Sequence, residues 1–264
     1  VEAALGVVAG GPPRTLTFSV TDAEAWGVGL ACGGTVSIRV GLADPPAMRT
    51  IVDALGAARA VAWVQSLGDA PGRVVARGEA DPLAAEVADA LRTDVATPVE
   101  RDGQQWLVCP YNPPLRLVIV GAVHIAQALA SMAATAGYQV VVVDPRASFA
   151  SAERFPGVTR IDEWPDDGLR ALNLDPRCAV VTLTHDPKLD DPALQVALTS
   201  EVFYVGALGS TKTQQARRER LRAAGLPESA LARLHAPVGL AIGARTPAEI
   251  AVSVLAQITQ VLRG

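Results

Sequence analysis

The sequence contains few of the side chains that carry metal and disulfide chemistry. Its 264 residues include three cysteines and three histidines. Cys32, Cys109 and Cys178 are too few and too scattered for a disulfide framework or a paired metal site, which predicts a reduced, cytoplasmic protein. Three histidines leave little material for a histidine-based metal centre. We therefore predict no metal ligands.

Other features that the sequence lacks narrow the class of protein. No apolar run reaches the roughly 18 residues of a membrane-spanning helix, and no secretory signal opens the chain. The net charge of −4 argues against a nucleic-acid partner. The serine-hydrolase elbow, the zinc-protease motif and the phosphate-loop lysine are also absent. The chain begins at Val1 without a methionine, so we expect that an upstream segment is missing.

What the sequence does contain is an α/β pattern in two parts. Half of the residues are hydrophobic but only 4% are aromatic, which is typical of a compact α/β protein. Residues 1–111 mix helices and strands irregularly and predict a smaller α+β domain. Within them, residues 14–20 and 34–40 alternate like half-buried strands. Asp102-Gly103 predicts the tight turn of a hairpin.

From Asn112 onward, strands and helices alternate strictly. The strands are continuously apolar, as a parallel sheet covered on both faces requires. Residues 112–264 therefore predict a Rossmann-type domain, whose last helix has a capping box at Thr246 and Glu249. The predicted strands cover residues 115–120, 139–144, 178–184 and 202–208, and the predicted helices cover residues 125–136, 192–198, 213–224 and 247–262.

The stretch VIVGAVHIAQALA, residues 118–130, predicts a strand, a glycine turn and a helix, the arrangement that binds a dinucleotide pyrophosphate. In the G-x-G-x-x-G/A fingerprint, Gly121 fits the first position and Ala126 the third. Val123 replaces the second glycine, and its branched side chain would stand where a phosphate binds. Either a phosphate-bearing ligand binds in a modified pose, or the scaffold no longer holds a dinucleotide. The candidate contacts in this turn are Gly121, Ala122, Val123, His124 and Ile125.

Two further pairs of candidates follow the second and fourth strands of this domain. Asp144 lies 23 positions after Gly121, near the spacing of the carboxylate that accepts ribose hydroxyls. Arg146 could instead meet a phosphate. His185 and Asp186 follow the strand that begins at residue 178, at the edge where open α/β sheets bind ligands. The alternative is a surface histidine and a helix-capping aspartate.

A second small-residue loop, with Gly206, Gly209 and Ser210, precedes the next helix. Such a loop can offer backbone N–H groups to an anion. The helix behind it, residues 212–222, carries five basic residues and one acid. We weigh two interpretations of this basic surface: a solvated face, or a docking surface for an anionic ligand or an acidic partner.

In the first domain, Cys32 lies in a glycine-rich stretch, GVGLACGGTV, directly before Gly33 and Gly34. Glycines allow the backbone to approach a ligand closely, and nearby N–H groups could stabilise a thiolate. The alternative is a small apolar residue in a tight bend. Cys109 and Cys178 lie in strand patterns, which predicts core cysteines.

Together these stretches resemble the xanthine dehydrogenase accessory protein family, also called XdhC/CoxI. The stretches that carry the resemblance are AWGVGLACGGTVSI, YNPPLRLVIVGAVHIAQALA, VVVDPR, RFPGV, LTHDPKLDD, FYVGALGSTKT and HAPVGLAIGARTPAEIAVSVLAQI. They cover both predicted domains in the order that the family shows. Relatives often have Gly-Ala-Gly-His where this chain has Gly121 to His124. The family's first domain usually begins earlier, with a Gly-Gly-Cys segment that is absent here.

The resemblance implies a small first domain, a Rossmann-type second domain and a role as a chaperone for the molybdenum cofactor. Such a protein binds molybdopterin or its dinucleotide form and protects it during sulfuration by a cysteine desulfurase. It then delivers the cofactor to a molybdenum hydroxylase such as a xanthine, aldehyde or carbon monoxide dehydrogenase. Cys32 matches the family's Cys-Gly-Gly motif, which implies a catalytic or cofactor-handling role. The resemblance also implies a homodimer.

Two other classes of protein compete with this interpretation. The Rossmann pattern and Asp144 are also typical of an NAD(P)-dependent oxidoreductase, although Val123 and the lack of an acid/base pair count against it. A protein-interaction scaffold with a vestigial nucleotide site would explain Val123 and the basic helix. The sequence leaves all three classes open, with the cofactor-binding maturation factor favoured.

Overall fold

The computed structural model describes residues 1–21, 26, 33–68 and 70–264, and every structural statement below concerns these residues. Their strands form one parallel and two antiparallel sheets. In the first part of the chain the helices are α1 (Glu2–Val8), α2 (Pro45–Gly56) and α3 (Ala84–Thr93), and the strands are β1 (Arg14–Val20), β2 (Gly34–Val40), β3 (Val61–Ser66), β4 (Arg73–Ala76), β5 (Thr97–Arg101) and β6 (Gln104–Tyr111).

The second part alternates strands with helices. The strands are β7 (Arg116–Val120), β8 (Gln139–Val143), β9 (Thr159–Ile161), β10 (Cys178–Thr182), β11 (Tyr204–Ala207) and β12 (Leu234–His235). The helices are α4 (His124–Thr135), α5 (Pro165–Ala171), α6 (Pro187–Thr199), α7 (Thr211–Ala223), α8 (Glu228–Leu231) and α9 (Pro247–Arg263). None of the helices that the structure describes is both long and apolar enough to span a bilayer.

The six strands of the second part form a parallel sheet in the order β12-β11-β10-β7-β8-β9. When the strands are numbered 1 to 6 from β7 to β12 and the sheet is read from the β9 side, the order is 3-2-1-4-5-6, which defines the Rossmann fold. Its strands are buried on both faces, because Leu117 and Ile119 pack beneath α4 and α9 while Val118 and Val120 pack beneath α6 and α7. This three-layer packing is why the strands read as unbroken apolar runs. The predicted α/β class is confirmed.

The four-stranded sheet of the first part is antiparallel, in the order β4-β3-β6-β5. Helix α3 covers one face, where Leu83, Val87 and Leu91 pack against Val64 and Val108. Strands β5 and β6 form the predicted hairpin. Both turn residues adopt the positive φ angles that such a turn requires, +54° at Asp102 and +72° at Gly103. Sheet membership changes between residues 111 and 116, although the domain boundary at residue 112 stays a prediction.

Strands β1 and β2 differ from expectation in their burial. They pair as an antiparallel ribbon with Phe18 opposite Val36 and Leu16 opposite Ile38. The prediction of half-buried strands is wrong for most of the ribbon, since Phe18, Val36 and Ile38 are 51%, 56% and 48% exposed. Alternation identifies a strand with two unlike faces, but it does not reveal whether another element covers the apolar face.

One predicted helix starts too late. The sequence pattern predicts Pro192 as its first residue, whereas α6 begins at Pro187 and contains Pro192 in its interior. The cause is local, because the Asp186 side chain accepts a hydrogen bond from the Lys188 N–H and Pro187 occupies the first turn, where proline needs no N–H partner. The short elements β9, α5, α8 and β12 are not predicted by the sequence pattern.

Helix α9 has the capping box that the sequence predicts. The Thr246 side chain accepts a hydrogen bond from the Glu249 N–H, and the Glu249 carboxylate accepts from the Thr246 N–H. We expect Thr246→Ala to lower the free energy of unfolding by about 1 kcal/mol in urea titrations. Thr259→Ala is the matched control, because Thr259 is exposed on the same helix. Equal losses in the two variants would show that the cap contributes nothing.

Candidate functional site

The glycine turn lies at the carboxyl end of β7, where the strand order of the parallel sheet reverses between β7 and β10. This switch point is where doubly wound sheets bind their ligands. Gly121 has φ = +103°. A Cβ atom at Gly121 would lie 2.4 Å from Cγ2 of Thr184, which follows β10. Only glycine therefore fits here, and the loop after β10 packs directly on the turn.

The carboxylate of Asp144 fastens this turn to the end of β8. The Asp144 side chain is fully buried and accepts four hydrogen bonds. Oδ2 accepts from the Ala122 N–H at 2.8 Å and from Arg146 Nη2 at 2.7 Å. Oδ1 accepts from Nε of Arg146 at 2.8 Å and from its backbone N–H at 2.9 Å. Every favourable acceptor position of this carboxylate is occupied within the chain.

These bonds change how the Asp144 prediction is understood. Burial raises the pKa of Asp144, but the hydrogen bonds from Arg146 and Ala122 outweigh burial and hold the pKa below its ordinary value. A ribose hydroxyl could bind this carboxylate only by displacing Arg146 or Ala122. Ribose binding at Asp144 stays a prediction, and the contacts present make Asp144 a residue that positions the turn.

Helix α4 begins directly after the turn with free backbone donors. Its N-cap residue is Val123, and no side chain caps its first turn. The Val123 and Ile125 side chains are half-buried against the core, His124 is exposed, and Ala126 is fully buried, as the third fingerprint position requires. The first N–H groups of a helix carry partial positive charge and attract anions. The edge therefore provides donors for a phosphate or carboxylate.

A buried polar network fixes the two neighbouring loops. Arg217 on α7 donates to Asp190 Oδ2 on α6 at 2.8 Å, and the side chains are 2% and 0% exposed. Asp190 Oδ1 accepts from Thr184 Oγ1 at 2.6 Å. Arg217 also donates to the Leu208 carbonyl at 3.0 Å and to Gln214 Oε1 at 2.6 Å. One ion pair therefore holds the loops after β10 and β11 together.

The sequence analysis missed Thr184, Asp190, Gln214 and Arg217. A signal for Asp190 was present, because Leu189, Ala193, Leu194 and Ala197 mark the buried face of α6 and Asp190 lies on that face. A buried aspartate requires a cationic or hydrogen-bonding partner. The partner's position depends on the packing of α6 against α7, which no local pattern reveals.

The residues predicted as ligand contacts in these two loops have several different structural roles. Asp186 caps α6, and Ser210 caps α7 by accepting from the Thr213 N–H at 3.3 Å. His185 is exposed and has φ = +64°, an uncommon conformation outside glycine. Gly209 has φ = +136° and lies on the loop as predicted.

Gly206 is a correction. The sequence analysis placed it on the loop, whereas it pairs within β11 between Val181 of β10 and His235 of β12. A Cβ atom there would lie 2.5 Å from Cγ2 of Val238, so close packing explains the glycine. The strand predicted over residues 202–208 already includes Gly206, so the error was to assign this glycine to the loop as well.

The basic residues of α7 fit the solvated-face interpretation in part, because Lys212, Arg220 and Arg222 are exposed. Arg217 is buried in the ion pair, Arg220 binds Asp191 and Arg222 binds Glu228. Arg218 donates to the carbonyls of Leu231 and Leu234. Four of the five cations therefore hold α7 against its neighbours, and the helix is not a free cationic surface.

Two of the three cysteines, Cys109 and Cys178, lie in the part of the chain that the structure describes. Cys178 is fully buried in β10, and burial raises the pKa of its thiol to about 11. Cys109 is half-buried in β6, and burial raises its pKa as well. Cys178 is therefore a core thiol, as predicted, whereas Cys109 lies in a strand, as predicted, but is only half-buried. Cys32 lies outside the described residues, and Gly33 and Gly34 lie at the start of β2. Among the described residues, no group of three His, Cys, Asp or Glu side chains could hold a metal ion.

Comparison with known proteins places this geometry in a family. The family model described as the XdhC Rossmann domain matches residues 117–258, just over half of the chain. The chain belongs to the XdhC family. The match includes the glycine turn, Asp144, the Asp190–Arg217 pair and most of α9. An XdhC Rossmann domain is therefore the part of the protein that carries the candidate site.

Curated XdhC relatives match over the same length. The Escherichia coli K12 molybdenum cofactor insertion chaperone PaoD is 34% identical over 57% of this chain and 41% of its own length. A probable xanthine dehydrogenase subunit of Bacillus subtilis 168 is 35% identical over 56% and 43%. The uncharacterized protein YqeB of Escherichia coli K12 is 38% identical over 55% and 27%. The chain thus spans less than half of the length of these curated relatives.

A solved structure matches the whole XdhC chain. The crystal structure of a protein named xanthine dehydrogenase from Bacillus halodurans has a TM-score of 0.69 and 28% identity. The match covers 99% of this chain and 79% of that one. The arrangement of the first part therefore also has a counterpart in a solved structure.

Removing the Asp144 carboxylate should destabilise the turn. Asp144→Ala leaves the buried Ala122 N–H without an acceptor, so we expect the free energy of unfolding in urea to fall by about 2–3 kcal/mol at pH 7. Because the folded-state pKa is lowered, this contribution is present above the unfolded value of about 3.9 and is lost as the pH falls through the folded pKa. The difference should therefore shrink in acid. Asp167→Ala, which removes an exposed partner of Arg170, should change little. If the loss of unfolding free energy did not depend on pH, the ionised Asp144 carboxylate would not be the source of this stability.

Arg217 provides a second stability test. Arg217→Met leaves Asp190 buried without its cation, and we expect a loss of about 3–5 kcal/mol in urea unfolding. Arg222→Met is the matched control on the same helix, because Arg222 pairs with Glu228 at the exposed surface. If both variants unfold at the same urea concentration as the parent, the buried pair does not fix the two loops.

Proposed function

We propose that the chain acts in the maturation of molybdenum hydroxylases by binding the molybdenum cofactor and passing it to a client enzyme. The names of PaoD and of the Bacillus subtilis relative support this proposal, since one is a molybdenum cofactor insertion chaperone and the other a probable xanthine dehydrogenase subunit. The finer steps belong to the same proposal: support of sulfuration by a cysteine desulfurase, a role for Cys32, a homodimer and a cytoplasmic location.

One observation carries the proposal: the first turn of α4 is uncapped at the switch point of the sheet. Molybdopterin carries a phosphate group, and an uncapped helix N-terminus supplies N–H donors and a favourable dipole for such a group. The Arg146 side chain is 40% exposed beside the turn and can approach the same anion. The residues present therefore fit the phosphate of the cofactor. The bound cofactor would supply the molybdenum chemistry, and the chain would bind, orient and release it.

The shape of the glycine turn also bears on which kind of phosphate the chain would prefer. Gly121 and Thr184 are in contact, so the turn has one shape. The half-buried Val123 narrows the approach to the helix, where a dinucleotide fold has glycine. We propose that this narrowing favours a terminal phosphate over a bridging pyrophosphate. Residues 1–111 and 112–264 would then form an accessory domain and a cofactor-binding domain.

The alternative of an NAD(P)-dependent oxidoreductase has less support. Such enzymes place a free carboxylate on the adenosine ribose. Here the Asp144 carboxylate already accepts four hydrogen bonds inside the chain. We expect NADH titration, followed by fluorescence, to detect no saturable binding. Saturable binding in the micromolar range would favour the oxidoreductase.

The proposal is tested by a substitution that caps α4 with a negative charge. Asp is among the best N-cap residues, so Val123→Asp preserves the helix while repelling an anion from its first turn. Protein from a host that makes molybdopterin would be assayed for bound pterin by fluorescence after oxidation. We expect at least a tenfold loss of pterin relative to the parent, with a melting temperature within a few degrees.

Val252→Asp is the control of equal charge, because Val252 is exposed on α9. It should retain the pterin content of the parent. Arg146→Ala tests the same site without changing the helix and should lower retention as well. A parent protein that carries no pterin, or a Val123→Asp variant that carries as much as the parent, would refute the proposal.

A further inference from the structure

A cavity lies near the amino ends of the parallel strands, whereas the glycine turn follows the carboxyl end of β7. Its volume is about 200 Å³. We name it the seam cleft, because its walls come from the loops before β3, after β4, before β7 and before β10, and thus from both parts of the chain. Its lining residues are Ala58, Arg59, Ala60, Ala76, Arg77, Pro113, Asp175, Pro176 and Arg177. A neighbouring cavity of about 280 Å³ shares Arg77, Pro176 and Arg177 with it.

Three arginines give the seam cleft its positive charge. The side chains of Arg59 and Arg77 make no hydrogen bond or ion pair with any residue that the structure describes, and both residues are exposed. Arg177 is held in place, because its Nε donates to the Pro113 carbonyl at 2.6 Å and its Nη1 lies 3.2 Å from Asp94 Oδ1. The Arg177 side chain is only 11% exposed. One cation is thus fixed at the wall and two are free.

The acid that lines the seam cleft, Asp175, and the acid that pairs with Arg177, Asp94, already have partners. Asp175 accepts from Arg116 Nη2 at 2.8 Å and from the Arg177 backbone N–H at 2.7 Å. Asp94 is shared between Arg177 and Arg263, which lies 3.8 Å away. Arg59 and Arg77 are therefore not neutralised, although the protein as a whole has a net charge of −4. A local excess of positive charge in an acidic protein attracts anions to this position.

The rest of the lining is apolar. Ala58, Ala60, Ala76, Pro113 and Pro176 form the walls between the guanidinium groups. Ligand sites combine mostly apolar walls with a few placed polar groups. Because guanidinium groups match the geometry of phosphate oxygens, the combination fits a phosphate attached to an organic group that contacts the alanines and prolines.

We propose that the seam cleft binds a small organic phosphate through Arg59 and Arg77, at a site separate from the glycine turn. The separation follows from the sheet. Arg177 precedes β10, whereas the glycine turn follows the parallel strand β7 at the other edge. A strand of five residues spans about 16 Å, so one small ligand cannot occupy both places. This inference does not depend on the proposed function.

A ligand in the seam cleft would also stabilise the contact between the two parts of the chain. Arg59 and Arg77 flank the antiparallel sheet, while Pro176 and Arg177 lead into the parallel sheet. Binding to the folded arrangement alone raises the melting temperature as the ligand concentration rises. Thermal stabilisation by the ligand is therefore a second, independent readout.

Calorimetric titration with adenosine 5′-monophosphate as the organic probe and inorganic phosphate as the comparison tests this proposal. We expect the parent to bind the nucleotide at least tenfold more tightly than inorganic phosphate, with a rise in melting temperature. The double variant Arg59→Ala/Arg77→Ala should lose at least tenfold in affinity for the nucleotide. Its own melting temperature should stay unchanged, because neither side chain has a partner to lose.

Two controls make the result specific. Arg14→Ala/Arg49→Ala removes two exposed arginines from the same part of the chain and should bind like the parent. Arg146→Ala alters the glycine turn alone and should also bind like the parent. The proposal would be overturned if the parent bound no nucleotide or bound both probes equally. It would also be overturned if the Arg14/Arg49 control lost as much affinity as the Arg59/Arg77 variant, or if only Arg146→Ala lost affinity.

Discussion

The carboxyl edge of the parallel sheet depends on the buried ion pair between Asp190 and Arg217. Asp190 reaches Thr184, which packs on Gly121, and Arg217 reaches the carbonyl that follows β11. A single charged contact therefore sets the positions of two loops and one wall of the glycine turn. A buried pair of this kind is weak evidence for stability, because desolvation offsets most of the attraction. Its effect here is geometric, since either charge without the other would be costly to bury.

Asp144 has the corresponding role on the other side of the turn. Its buried carboxylate holds the Ala122 N–H and the Arg146 guanidinium in one arrangement. The residue that in dinucleotide-binding folds contacts ribose is thus occupied with its own chain. What the site has left for a ligand is the backbone donors of α4 and the exposed part of Arg146. Both attract negative charge, and neither recognises a sugar.

The elements that the sequence predicted best are those whose signal is local. Strands β7, β8 and β10 are apolar runs in the sequence because both of their faces are covered. The capping box of α9 and the turn of the β5–β6 hairpin each follow from a few neighbouring residues. The need for glycine at position 206 could not be recognised, because it arises from contact with Val238, which is distant in the sequence. The acidic partners of the α7 arginines were missed for a similar reason. These acids are 6 to 29 positions away in the sequence, and only the packing of α6 and α8 on α7 shows them.

The two ends of the parallel strands differ in whether their arginines are paired with acids. At the carboxyl ends of the strands, Arg217, Arg220 and Arg146 pair with Asp190, Asp191 and Asp144, so the uncapped N–H groups of α4 are the main free donors at the glycine turn. At the seam cleft, Asp175 pairs with Arg116, and neither Arg59 nor Arg77 has an ion pair with a residue that the structure describes. In the proposed function, an anion at the glycine turn would be bound by oriented N–H groups, whose attraction depends on a precise position of the anion. In the proposed seam-cleft site, an anion would be bound by exposed guanidinium groups, which tolerate variation in the ligand but are screened by salt. Raising the ionic strength should accordingly weaken binding at the seam cleft more than binding at the glycine turn.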